Sequence, residues 1–67
     1  MTLAPGEIFE HTHLTDSITT VVTGTVDLVV AGERTRLVEG VPTPIPANVS
    51  HVLVNVGQNE AIIECAH

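Results

Sequence analysis

Residues 17–30 read Ser17-Ile18-Thr19-Thr20-Val21-Val22-Thr23-Gly24-Thr25-Val26-Asp27-Leu28-Val29-Val30. Apolar side chains recur here at the two-residue period of a β-strand, and the β-branched residues suit a pleated, half-buried surface. Gly24 divides the run into two strands. In the second, Val26, Leu28 and Val30 share one face, and Thr25, Asp27 and Val29 the other. Working outward, Ala31-Gly32 is a tight turn into the polar segment Glu33-Arg34-Thr35-Arg36-Leu37-Val38, which predicts a hairpin with a solvated second strand. Pro42, Pro44 and Pro46 follow; each lacks a ladder donor, so a central strand is excluded and an irregular crossing segment is expected. Alternation resumes over 50–56, and Gly57-Gln58-Asn59 then reads as the turn of a closing hairpin into 60–65. Glu7 to His13 alternates only loosely. No segment carries a helical period, so the chain reads as all-β, a sandwich or small barrel.

Size and composition set the function classes. Sixty-seven residues form a single domain, 1–67, and exclude a two-domain enzyme. A chain this short is usually stapled by disulfides, a metal or a partner subunit. Cys65 is the single cysteine and closes no internal disulfide, so a metal and a homodimer remain. With 43% hydrophobic and 15% charged residues the chain is a packed globule rather than a disordered segment. Eight acids against Arg34 and Arg36 give a net charge of −6, which repels nucleic-acid backbones and anionic membrane surfaces. No apolar run is long enough for a spanning helix, and residues 1–6 lack a basic leader. With its lone thiol the chain is expected to be cytoplasmic.

Four histidines stand out. His11 and His13, two residues apart, are expected on one face of a strand, a spacing that permits chelation. By itself such a pair reads equally as two solvated imidazoles. Downstream, Gly40, Pro46, Asn48, His51 and Asn55 form a spaced pattern in which glycine and proline punctuate a turn before a histidine on a strand.

Taken together, these two patterns resemble the cupin family. Its first motif runs from a glycine through His-x-His and a glutamate to a closing glycine, matched here by Gly6, His11, His13 and Gly24. Its second is matched by Gly40, Pro46, His51 and Asn55. The match extends from Gly6 to Asn55. It implies a small antiparallel β-barrel or jelly-roll, a homodimer, and a metal held by His11, His13 and His51. Two departures are informative. Ser17 stands where the motif's glutamate belongs; Asp16 beside it points to the opposite face at strand period. Asn48 replaces a glycine, a change tolerated because asparagine adopts left-handed turn geometry.

Three neutral imidazoles without a carboxylate leave the ion its full charge and open coordination positions, an arrangement suited to Lewis acidity. Imidazole accepts zinc, iron, manganese, nickel or copper, so the divalent transition metal is not fixed by ligand type. Around it, Ser17 and Asn55 are candidates for the inner pocket. Glu7 and Glu10 flank His11 as a base or an acceptor behind the ligands, against the plainer reading of surface carboxylates. Cys65 and His67 alternate on the last strand and are weighed as a fourth ligand against a buried small side chain and a frayed end. Three readings follow: a metal enzyme acting on a small molecule, with oxygenase or isomerase-like chemistry; a non-catalytic module that binds or senses a metal or small ligand; and a structural β-domain whose histidines hold nothing.

Overall fold

The computed structural model describes residues 1–66. Its strands are β1 (Thr2–Leu3), β2 (Ile8–His11), β3 (Ser17–Thr23), β4 (Val26–Val30), β5 (Glu33–Arg36), β6 (Thr43–Ile45), β7 (His51–Asn55) and β8 (Ala61–Ala66). They form two four-stranded antiparallel sheets, β1-β8-β3-β6 and β2-β7-β4-β5. No helix among the described residues is long and apolar enough to cross a membrane.

The alternation in the sequence becomes the packing between the sheets. Val21 from one sheet and Val26, Leu28 and Leu53 from the other meet with Leu3, Ile45 and Ile63 in one buried cluster. Gly24 lies at the crossing from β3 to β4 with φ at +111°, and a Cβ there would sit 2.7 Å from the Ala61 Cβ. Both the dihedral and the close approach require glycine.

The hairpin at Ala31-Gly32 forms as read, β4 pairing with β5 from Asp27↔Arg36 to Val30↔Glu33. Its cross-strand chemistry is richer than a solvated edge. Asp27 is buried, and its carboxylate accepts from Arg34 Nε at 2.7 Å and from Arg36 Nε. The Arg36 hydrogen bond, then that of Arg34, holds the Asp27 carboxyl below its ordinary value, against the opposing effect of burial.

Two expectations are corrected. The proline segment is a short strand, β6, rather than an irregular crossing; it lies at a sheet edge, where missing donors cost little. The closing hairpin does not form. β7 pairs with β2 and β4, whereas β8 pairs with β1 and β3 in the other sheet. The turn at Gly57-Gln58-Asn59 therefore carries the chain between sheets. Asn55 braces that passage: its Nδ2 donates to Leu3 O and Asn59 O, each at 2.9 Å, and its Oδ1 accepts from Gly57 N at 2.9 Å.

Candidate functional site

Strand pairing brings distant histidines together. In the β2–β7 ladder His11 is the direct partner of His51. His13 is not on that strand as expected, because β2 ends at His11. It is brought to the same place by a different device. Asn48 N–H donates to His13 O at 2.8 Å, and Ala47 N–H donates to Asp16 Oδ1 at 2.8 Å. These bonds fasten the segment after β2 to the segment before β7. Asn48 makes the turn with φ at +61°, the left-handed geometry expected of it.

The three imidazoles cluster. His11 and His13 centroids are 4.1 Å apart, His13 and His51 5.4 Å, and His11 and His51 6.0 Å. Imidazoles sharing one ion at a metal–nitrogen distance of about 2.1 Å have centroids about 5 Å apart, so residue type and spacing fit a common cation. Ring orientation is another matter. Among the described residues no group of three or more His, Cys, Asp or Glu is arranged to hold a metal as it stands. His13 and His51 are nearly parallel, at 21°, and His11 is edge-on to both. Convergence of three nitrogens on one point calls for rotation of these rings.

His51 is oriented by a backbone carbonyl. Its Nδ1 lies 3.2 Å from Val49 O, which can only accept, so this bond puts the proton on Nδ1 and the lone pair on Nε2. Ser17 is buried on β3 with no hydrogen-bond partner for its Oγ among the described residues.

A cavity of about 610 Å³ lies between β2 and the β3–β8 ladder. Phe9, His11 and His13 line one side, and Ile18, Thr20, Ile63 and Glu64 contribute from the ladder. Phe9 stacks on His11 with centroids 5.4 Å apart. His51, Ser17 and Asn55 are not among the lining residues. Nor are the two carboxylates singled out from sequence. Glu7 Oε1 accepts from Ala4 N at 2.8 Å within an exposed turn, and Glu10 is an exposed residue of β2 alternating with His11. Cys65 does line the cavity, with its Sγ 3.8 Å from Thr19 Oγ1. His67 lies outside the described residues. Sequence reading missed Glu64 and Thr20, cross-strand partners in β3–β8. The signal for them was the register of β8, hidden by assigning that strand to β7.

Two antiparallel sheets closing around a histidine cluster, with the second histidine loop tied to the first, define a class of small β-barrel domain. The cupin-domain family model matches residues 1–66, and the chain belongs to that family. Solved structures share the fold. A cupin superfamily protein from Desulfitobacterium hafniense superposes with a TM-score of 0.81 at 18% identity, over 97% of this chain and 60% of that one. The cupin domain of an XRE family transcriptional regulator from Enterobacter cloacae gives 0.85 at 19%, over 96% and 70%. KdgF from a Halomonas species gives 0.76 at 26%, over 96% and 60%. The chain thus spans about 60% of the length of the first of these structures. No curated protein matches it.

Proposed function

We propose that the chain is a metal-binding cupin domain in which His11, His13 and His51 hold one divalent transition-metal ion, acting on a small molecule with oxygenase or isomerase-like chemistry. The observation that carries this reading is His51. It is 1% exposed, stands opposite His11, and has its Nδ1 against a backbone carbonyl, the usual arrangement behind a metal-bound imidazole. Bound there, the ion supplies a Lewis acid with open positions. Ser17, with a shorter side chain than the glutamate it replaces, leaves its unpartnered Oγ to bond a water or ligand there.

One observation favours a second reading, a non-catalytic module that binds or senses a metal or small ligand. Glu7 and Glu10 stay outside the cavity, so among its described lining residues Glu64 is the one carboxylate available for proton transfer. A homodimer and a cytoplasmic setting belong to both readings. Apolar side chains left exposed on β3 and β8 support the first, and a lone thiol suits the second.

Elemental analysis after separate loading with zinc and ferrous iron tests the site. One ion per chain is expected, reduced at least tenfold by His11→Ala and by His51→Gln with far-UV circular dichroism unchanged. Stoichiometric metal retained in both variants overturns the ligand set. Oxygen uptake by the iron-loaded protein across a panel of small molecules then separates enzyme from binding module.

A further inference from the structure

We infer that the cavity between β2 and the β3–β8 ladder selects a small molecule with an apolar body and one polar, non-anionic end, and rejects phosphorylated compounds. This deepens the functional reading above, because the histidines are where the polar end belongs; the selectivity resides in the lining and is a property of the metal-free protein, since a divalent ion at the histidines would itself attract phosphate. At about 610 Å³ the space is of the size that takes small organic ligands, and it is open to solvent on the side of Glu64 and Ala66. Its body is Phe9, Ile18 and Ile63, with the Phe9–His11 stack as a flat wall. Polar groups enter from two sides: His11 and His13 on one, Thr20 and Glu64 on the other.

The charge distribution decides the class. A phosphate needs cationic side chains or clustered backbone donors, and the chain has no lysine and two arginines. Both arginines are committed to Asp27 in the β4–β5 hairpin. β5 is one edge of its sheet and β2 the other, with β7 and β4 between. At a strand spacing of about 4.8 Å, Asp27 on β4, which holds both guanidiniums, is two strands or about 10 Å from β2, beyond a Debye length at physiological salt. Glu64 adds a negative charge at the lining, on a chain whose net charge is already −6. A dianion entering here meets repulsion and no lysine or arginine side chain at the lining.

Hexan-1-ol and hexyl phosphate share a chain and differ in the head group, so they isolate this property. Titrations of EDTA-treated protein followed by methyl and amide chemical shifts, with zinc uptake measured separately, are the test. Hexan-1-ol is expected to shift Ile18, Ile63 and Cys65, with hexyl phosphate at least tenfold weaker. Glu64→Lys, which reverses the charge at the lining, is expected to raise the affinity for hexyl phosphate relative to hexan-1-ol about tenfold. Ala66→Trp, which fills the space from its exposed end, is expected to abolish the hexan-1-ol shifts. Equal binding of both probes by the unmodified chain, no response to either, or hexan-1-ol shifts that survive Ala66→Trp each overturn the inference. Hexan-1-ol binding by protein that takes up no zinc upholds the cavity and removes the metal reading; stoichiometric zinc without a hexan-1-ol response does the reverse.

Discussion

Asn55 shows how one side chain can serve the site without touching it. Its amide spans three backbone groups from β1, from the turn after β7 and from the approach to β8, while His51 lies at the other end of the same five-residue strand. Asn55→Ala leaves Leu3 O, Asn59 O and Gly57 N without this partner in a buried setting, and urea denaturation is expected to register a loss of about 2–3 kcal/mol. Asp27 makes a different prediction, about pH. Its folded carboxyl is held below the ordinary 3.8 by the two arginines, so the unfolded chain takes up a proton first as pH falls. The stabilisation is therefore complete above 3.8 and is lost as pH drops through the lower folded value. Because both arginines are more than half exposed, the effect is modest: Asp27→Asn is expected to cost about 1 kcal/mol at pH 7, with the difference from the unmodified chain vanishing in acid. A constant difference from pH 7 to pH 2 contradicts this assignment.

At the scale of elements, what the sequence made legible was local. Strands β3, β4, β5 and β7 follow from side-chain alternation, and the β4–β5 hairpin from Ala31-Gly32, because period and turn chemistry act over neighbouring residues. Partner choice between sheets does not: Gly57-Gln58-Asn59 has the composition of a hairpin turn, and its use as a crossing depends on Asn55 reaching Leu3, across most of the chain. The histidine site was legible in part. His11 opposite His51 is a register, inferable from the resemblance, but His13 left the strand, and its position depends on bonds from Ala47 and Asn48 that no period announces. Asp16, which strand periodicity turns away from the site, positions it from behind. Asp16→Ala is expected to weaken zinc binding about tenfold at little cost in melting temperature, while Asp16→Asn, which keeps the acceptor oxygen, restores most of it. If Asn fails as badly as Ala, the carboxylate charge rather than the Ala47 hydrogen bond is what matters.

On the scale of the whole molecule, the chain encloses one small core and leaves large apolar side chains outside it. Val22 and Ile62 are each 45% exposed, and the register of β3 on β8 puts Val22 beside the Thr23↔Ile62 pair, where the ladder bulges. β5, an edge strand of the other sheet, carries four exposed residues of which three are charged, so one region of the surface is dressed for water and another is not. A second copy is the natural cover for the patch of Val22 and Ile62, since a domain of 7.1 kDa gains proportionally more from removing such surface than a large one does. Light scattering at low micromolar concentration is expected to give twice the chain mass. Val22→Lys combined with Ile62→Lys places two cations at the seam and is expected to give a folded monomer, since neither side chain belongs to the buried cluster. A dimer that persists in the double variant moves the interface to another face, and a stable monomer of the unmodified chain removes it altogether.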